Sequence, residues 1–372
     1  MNRRADFMDW RIVIIPILLI AVGVAVIYSL VMGSPSSGIA LKQGIIAMIG
    51  LSLAVIVSFV DYRLYKGFFW IFYLISILLL LYVGLFGKTV NGAMNWIDLR
   101  YFQLQPSEVA KISLIISLAS FFSDKVGKLR WRDFLFSFAM MAFPLFLILK
   151  EPDMGTGMVL CFIYLIMLLV AKPTKIQLAI IFTSLFIFFA SVFLAYKDIQ
   201  PFGSMMKQYQ RDRISVFLDP AKYPTDSGYN VRQAQITIGS GGLTGKGLGK
   251  GLQSQLKFLP EVETDFIFAG IAESFGFTGC IIILGLLSYL ILRLVEIGSI
   301  ARDNFGSLMV YGIAAMLFFH VLVNVGMNMG ILPVAGIPLP FLSSGGTSLL
   351  VSLFSIGLAQ SVFIRHRKIT FS

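Results

Sequence analysis

Long apolar runs separated by short polar segments make up most of the chain. Ten of them match or approach the roughly 20 residues that a helix needs to cross the hydrocarbon core of a bilayer. They cover residues 12–32, 41–60, 68–86, 106–122, 134–149, 156–171, 176–196, 266–292, 307–332 and 347–364. The pattern predicts an all-α polytopic membrane protein of about ten transmembrane helices, forming one domain over residues 1–372.

The short loops between the runs orient the predicted helices. With the N-terminus in the cytoplasm, the inner segments hold sixteen lysines and arginines and the short outer loops hold four, Lys42, Lys88, Arg100 and Lys150. Such an excess of basic residues is typical of cytoplasmic loops. We therefore expect both termini in the cytoplasm and one large external loop, residues 197–264, between helices 7 and 8, so that Asp265 faces outward.

The composition excludes a soluble globular domain, because 57% of the residues are hydrophobic and only 13% are charged. The net charge of +11 is spread over short loops, so we expect no nucleic-acid partner. Cys161 and Cys280 both lie inside apolar runs, which argues against a disulfide framework. His320 and His366 are far apart in the sequence, so no zinc-ligand cluster is visible.

Asp265 stands at the junction between a polar loop and the eighth apolar run. Glu261 and Glu263 precede it at alternate positions, and small residues follow it at helical spacing: Ala269, Ala272, Gly276 and Gly279. Such a stripe lets a neighbouring backbone, or the chain of a ligand, approach the helix closely. Two interpretations stay open: Asp265 is a catalytic carboxylate for a lipid-borne substrate, or it is an ordinary helix N-cap.

Glu108 and Lys111 lie inside the fourth run. A charge at the centre of a membrane helix costs about 2.5–3.5 kcal/mol, whereas a helical i,i+3 ion pair returns only a few tenths. Trp96, Arg100 and Asp153 flank the fourth and fifth runs on the same predicted outer side. These residues either share one outward-opening polar cavity or act as separate interfacial anchors.

Two further polar features have modest interpretations. His320, Asn324 and Asn328 form an i, i+4, i+8 stripe in the ninth run, which hydrogen bonds between helices would explain. The glycine-rich segment 239–252 resembles a phosphate loop but lacks the required spacing and the Ser or Thr after its lysines. We expect a mobile loop there, with Lys246 and Lys250 near anionic lipid head groups.

Six motifs, in order, carry a resemblance to a known family. They are NGAMNW (91–96), QPSEVAK (105–111), EPDMGTG (151–157), QITIGSGGLTGKG (235–247), QSQLKFLPEVETDFIFA (253–269) and GIPLPFLSSGGTS (336–348). The chain thereby resembles the SEDS family (shape, elongation, division and sporulation) nearly from end to end, and its QSQL and LPE segments resemble the elongation branch. Glu263 stands where the family commonly has a histidine, and Ser274 where many relatives have an acid.

The resemblance implies a peptidoglycan glycosyltransferase of the bacterial inner membrane. Such an enzyme polymerises lipid II into glycan strands, with inversion, for cell elongation and rod shape. Its partners would be a class B penicillin-binding protein and the elongation machinery. A lipid II flippase and a non-catalytic scaffold of that machinery are the alternatives.

The resemblance also implies roles for single residues. Asp265 matches the catalytic aspartate, and Arg100 and Lys111 would hold the pyrophosphate. Trp96 would pack against sugar or lipid, and Glu108 and Asp153 complete the expected substrate-binding set. A divalent cation, Mg²⁺ or Mn²⁺, would stabilise the leaving pyrophosphate, although the sequence identifies no ligand set for it.

Overall fold

The computed structural model describes residues 8–32, 38–90, 93–98, 102–151, 153–196, 217, 226–251 and 259–366. Helices form most of this part of the chain. They are α1 (Arg11–Val31), α2 (Gly38–Phe59), α3 (Arg63–Gly67), α4 (Phe69–Phe86), α5 (Pro106–Ser123), α6 (Trp131–Lys150), α7 (Met154–Val170), α8 (Lys175–Tyr196), α9 (Asp226–Ser240), α10 (Ile267–Ile300), α11 (Asn304–Asn328) and α12 (Gly346–Ile364). About half of the predicted external loop (197–216, 218–225 and 252–258) lies outside the described residues, as does Arg100.

Seven of the described helices are long and apolar enough to cross a membrane: α1, α2, α4, α6, α10, α11 and α12. The chain is therefore a multi-pass helical membrane protein, as predicted. Three more helices, α5, α7 and α8, coincide with the remaining predicted spans; α7 has 17 residues, and α5 carries Glu108 and Lys111 in its first two turns. The number of ten spans stays a prediction.

The helices α5, α11 and α12 form the centre of the bundle. Nearly every residue of α5 is buried, and so is most of α11 and α12, whereas α4 exposes most of its surface. Glycines bring the central helices close to their neighbours, because a Cβ at Gly357 would lie 2.6 Å from the carbonyl oxygen of Ala54, and one at Gly312 2.9 Å from Ile115. Close backbone approach of this kind is the usual packing of membrane helices.

One end of the bundle gathers residues that the sequence assigns to the cytoplasmic side. The Tyr62 hydroxyl donates to Asp303 at 2.7 Å, and the Lys66 ammonium donates to Asp124 at 3.0 Å. Asp9 pairs there with Arg293, near the end of α10. Hydrogen bonds to carboxylates therefore connect segments at this end that are distant in sequence.

The opposite end gathers residues that the sequence assigns to the outer side. The backbone N–H of Gln105 donates to the Thr347 hydroxyl at 3.1 Å, which joins the start of α5 to the start of α12. Gln43, on α2, donates to the carbonyl of Ser343 at 2.9 Å. The candidate site residues that the structure describes all lie toward this end.

A short antiparallel sheet lies between α4 and α5, so the prediction of an all-α fold was wrong there. Its strands are β1 (Lys88–Val90), β2 (Ala93–Asp98) and β3 (Gln103–Leu104), in the order β1-β2-β3. Val90 pairs with Ala93, and the two residues between them in the sequence are Asn-Gly. That dipeptide is a strong hairpin signal, which hydropathy alone does not reveal.

The helix α10 contains a break at Gly276, where φ is 66° and ψ is −166°. The glycine-rich segment 241–251 packs into this break, and α9, which precedes it, lies against α10. The expectation of a mobile loop was therefore wrong for most of the segment, whereas the contact of Lys246 and Lys250 with lipid head groups stays a prediction. The small residues Ala272 and Gly276 of the predicted stripe receive this neighbouring backbone.

Candidate active site

Asp265 lies in a tight turn two residues before α10, and it is half-buried. Its backbone carbonyl accepts hydrogen bonds from the side chains of Asn324 (2.9 Å) and Asn328 (3.0 Å), both on α11. The oxygen of Asn328 accepts in turn from the backbone N–H of Ala269 at 3.2 Å. The predicted hydrogen-bonding stripe on α11 is thus confirmed, and it fixes the backbone that carries Asp265.

The N-cap interpretation of Asp265 was wrong. The helix begins at Ile267, and its N-cap residue is Phe266, with no side-chain capping bond. The backbone N–H groups of residues 264, 265 and 266 all turn back to the carbonyl of Glu261, whose φ is 52°. The backbone carbonyl of Glu261 therefore closes the turn that leads into the helix.

The segment before α12 packs against the Asp265 turn. The Ser343 hydroxyl donates to the carbonyl of Thr264 at 2.6 Å, and the backbone N–H of Ser344 donates to the carbonyl of Glu263 at 2.8 Å. A Cβ built at Gly336 would lie 3.6 Å from Oδ2 of Asp265, so this glycine, with φ of 65°, borders the carboxylate. A residue with a side chain would be strained at that φ.

Lys111 is buried among polar partners near the start of α5. Its ammonium donates to Glu108 at 2.6 Å and lies 2.9 Å from Nε2 of His320. Because an ammonium can only donate, Nε2 must accept, and the histidine proton sits on Nδ1, 3.2 Å from the carbonyl of Pro338. Lys111 is only 1% exposed. His320, as a neutral acceptor, is thus a second partner for the Lys111 ammonium besides Glu108, which helps to offset the cost of burying this charge in a membrane helix.

Asp153 joins the start of α7 to the start of α5. One carboxylate oxygen accepts the backbone N–H of Thr156 at 3.0 Å, which caps α7. The other lies 3.2 Å from the Ser107 hydroxyl and 3.3 Å from the Gln105 amide nitrogen. These contacts give Asp153 a structural role, because Gln105 and Ser107 directly precede the Glu108–Lys111 pair in the chain.

Trp96 is half-buried on β2, where it pairs with Lys88 of β1. The segment 335–338 connects the other candidates, because its Ala335 carbonyl meets Gly155 on α7, where a Cβ would be 2.2 Å away. Its Pro338 carbonyl faces His320, and Gly336 borders Asp265. Glu108 and Lys111 are in direct contact. The segment 335–338 also borders Asp265, and it contacts Gly155, two residues after Asp153.

Glu151, in the connection between α6 and α7, was not assigned a role from the sequence. It is buried, and neither carboxylate oxygen has a hydrogen-bond partner among the described residues. Burial, and then the negative charge of Asp153, raises the pKa of Glu151 from 4.5 to about 8. The protonated acid is therefore the form that the folded protein favours below that pH.

This raised pKa predicts a pH-dependent stability. Between about pH 4.5 and pH 8 the folded protein holds a proton that the unfolded chain has lost, so the stability falls as the pH rises through this window. In Glu151→Gln that loss should be absent. Thermal unfolding of the wild type and the variant from pH 5 to pH 9 measures the difference. If the melting temperatures of the wild type and of Glu151→Gln changed equally with pH, the raised pKa of Glu151 would be contradicted.

The described residues contain no group of three or more His, Cys, Asp or Glu side chains placed to share a metal ion. Both oxygens of Asp153 already accept hydrogen bonds, and Glu108 is paired with Lys111. The part of the chain that the structure describes therefore offers no ligand set of its own for Mg²⁺ or Mn²⁺.

Comparison with known proteins identifies the family. A sequence model of the FtsW/RodA/SpoVE family, described as cell cycle protein, matches residues 9–368. The chain belongs to this family. The peptidoglycan glycosyltransferase MrdB of Escherichia coli K12 is 39% identical over 329 residues, covering 88% of this chain and 85% of that protein. The peptidoglycan glycosyltransferase RodA of Treponema pallidum is 33% identical, and the match covers 97% of this chain and 98% of that protein.

Two solved structures resemble this fold over nearly their whole length. A chain from a peptidoglycan synthase complex that coordinates polymerization and crosslinking has a TM-score of 0.80 and 29% identity, over 96% of this chain and 98% of that one. The rod shape determining protein RodA of Thermus thermophilus has a TM-score of 0.70 and 27% identity, over 98% of both chains.

The two departures from the FtsW/RodA/SpoVE pattern lie on either side of the first turns of α10. Glu263 is half-buried, and its backbone carbonyl is held by Ser344. Ser274 is buried, and its carbonyl accepts the backbone N–H of Gly247 at 3.0 Å. At both positions these contacts are made by the backbone, which any residue supplies.

Proposed function

We propose that this peptidoglycan glycosyltransferase joins the disaccharide units of lipid II into glycan strands, with Asp265 as the general base. The observation that carries the proposal is the placement of Asp265. Its backbone is fixed by two asparagines of α11, while its carboxylate is not used to cap the helix. A carboxylate whose backbone the fold holds in place is positioned to take a proton from a bound hydroxyl group.

The proposed reaction is a displacement at the anomeric carbon of one lipid-linked sugar. The hydroxyl oxygen of the acceptor sugar forms the new glycosidic bond as the bond to the pyrophosphate breaks, with inversion. Asp265 takes the hydroxyl proton, and the pyrophosphate leaves with the bonding electron pair. Inversion requires the base and the leaving group to lie on opposite sides of the reacting carbon.

The charge on the leaving pyrophosphate calls for fixed hydrogen-bond donors. Lys111 has three N–H donors, of which two are directed to Glu108 and His320. We propose that the third reaches a phosphate oxygen, and that Arg100 supplies a second cation. Glu108 and Asp153 act by holding Lys111 and the start of α5, and Trp96 packs against the sugar or the lipid.

The proposal includes an orientation, with both termini in the cytoplasm and Asp265 facing outward. A variant lacking Cys161 and Cys280 provides a background for thiol labelling of intact cells. Lys42→Cys should then react with a membrane-impermeant reagent, and Lys128→Cys should react only after the membrane is opened; both lysines are exposed. The reverse pattern would place Asp265 on the wrong face of the membrane.

The partner in the proposal is a class B penicillin-binding protein, within the elongation machinery. The support is the relative found in a peptidoglycan synthase complex that coordinates polymerization and crosslinking. A glycosyltransferase that works with a crosslinking enzyme would deliver each new strand to it directly.

One assay separates this function from its two alternatives. The purified chain is incubated with fluorescent lipid II, alone and with a class B penicillin-binding protein, and the products are separated on a gel. We expect a ladder of glycan strands, formed faster with the partner. A flippase or a scaffold would yield no ladder in either arm, so an empty lane in both would reject the proposal.

A further inference from the structure

The break in α10 exchanges two of its own hydrogen bonds for bonds to the glycine-rich segment. In a continuous helix the N–H groups of Phe277 and Thr278 would donate to the carbonyls of Glu273 and Ser274. Here they donate to Gly242 (2.9 Å) and to the carbonyl of Leu243 (3.1 Å). The carbonyls of Glu273 and Ser274 accept instead from the N–H groups of Lys246 (2.9 Å) and Gly247 (3.0 Å).

The fit of this segment, residues 241–251, depends on the absence of side chains. A Cβ at Gly241 would lie 1.9 Å from the carbonyl oxygen of Ala272, and one at Gly245 would lie 2.3 Å from that of Ser274. Gly276, on the other side of the contact, would place a Cβ 2.3 Å from the backbone nitrogen of Gly245. The two backbones therefore meet directly, and neither could approach with larger residues.

One charged contact crosses the same interface. Glu273 is fully buried in the first part of α10, and the Lys246 ammonium lies 3.5 Å from its carboxylate. Gly251 closes over the carboxylate, since a Cβ there would be 2.5 Å from it. A buried carboxylate that loses a neighbouring cation is costly, so the pair favours the docked loop.

The break makes the part of α10 that follows Asp265 a separate short helix, residues 267–275. Its first end is held by Asn324 and Asn328, and its second end by the docked loop. Asp265 lies about 15 Å from the break at 1.5 Å per residue, so a rotation of about 10° there would move it by roughly 2.5 Å. A displacement of even ~1 Å can cost about a hundredfold in rate.

We propose that Lys246 and Glu273 are positioning residues, whose ion pair holds the glycine-rich segment in the break and thereby sets the position of Asp265. The inference rests on the proposed role of Asp265 as the base. Lys246 and Glu273 act through the loop and the short helix and do not touch the substrate.

The test compares Lys246→Met with two controls in lipid II polymerisation. We expect kcat to fall about 10- to 100-fold and KM to change less than about threefold, because positioning of the base is lost while substrate binding is kept. Lys246→Arg should restore most of kcat. Lys250→Met is the matched control: it removes an exposed lysine of the same loop and should leave kcat unchanged.

A second readout follows the loop itself. Hydrogen exchange of the peptide containing Phe277 and Thr278 should accelerate in Lys246→Met, and also in the near-isosteric Glu273→Gln, but not in Lys250→Met. Unchanged exchange in both variants would overturn the claim that the ion pair holds the loop. Faster exchange with unchanged kcat would overturn the claim that the loop positions Asp265.

These results are separable from a failure of the proposed function. Asp265→Asn should lose polymerisation with unchanged exchange at Phe277 and Thr278. If Asp265→Asn polymerised at the wild-type rate, Asp265 would not be the base, and the positioning role would be overturned with it. If Asp265→Asn is inactive while Lys246→Met keeps the wild-type kcat, only the positioning role is rejected.

Discussion

Asp265→Asn is expected to fold as the wild-type chain does and to form no glycan strands. The contacts from Asn324 and Asn328 go to the backbone carbonyl of residue 265, which the substitution preserves. Loss of a general base lowers a rate by about 10²–10⁴-fold, equivalent to roughly 3–5 kcal/mol of barrier. Gel analysis of the product from fluorescent lipid II, beside a melting curve, measures both expectations.

Glu263→Gln is the matched control for this variant. Glu263 is half-buried, lies in the same turn and carries the same charge, and the Ser344 contact again goes to its backbone. It should polymerise lipid II at close to the wild-type rate. An active Asp265→Asn beside an inactive Glu263→Gln would show that the base has been assigned to the wrong carboxylate.

Lys111→Met is expected to destabilise the protein strongly, by about 3–5 kcal/mol, because it leaves Glu108 as an unpaired buried charge. His320 would also lose the donor to its Nε2. Both side chains of the ion pair are almost fully buried, so solvent would compensate little. Chemical or thermal unfolding in detergent measures the loss, and lipid II binding by the folded fraction should weaken as well.

The double variant Glu108→Gln/Lys111→Met separates the two roles of Lys111. Removing both charges should recover most of the stability, since the two residues are in direct contact and their effects are not additive. Weak lipid II binding should persist, because the phosphate donor is still missing. A double variant as unstable as Lys111→Met would contradict the ion-pair account. Lipid II binding at wild-type strength would contradict the phosphate role.

Hydropathy predicted most of the helices because a membrane helix must bury its backbone polar groups in its own hydrogen bonds. The predicted spans 12–32 and 68–86 nearly coincide with α1 and α4. The same pattern could not detect the break at Gly276. The hydrogen bonds at this break are completed by the glycine-rich segment 241–251, about 30 positions earlier in the chain. The hydropathy of the residues around Gly276 gives no information about that segment.

The cost of burying charges in a membrane helix predicted that Glu108 and Lys111 need a further polar partner besides each other. It did not predict which residue this partner is. His320 lies more than 200 positions later, on another helix, and only packing brings it to Lys111. Asp265 shows the opposite error. Local propensity favoured an N-cap, whereas the fold uses the carbonyl of Glu261 to close the turn. Family motifs located the candidate site, and tertiary contacts distinguished the structural residues from the proposed base.

The most direct test of the central claim is a single-turnover measurement at saturating lipid II, with binding measured on the same preparations. For Asp265→Asn, the account predicts a rate constant for glycosyl transfer at least about a hundredfold below the wild type. It predicts an unchanged dissociation constant for lipid II. A wild-type rate constant, or a loss explained wholly by weaker lipid II binding, would contradict the assignment of Asp265 as the base.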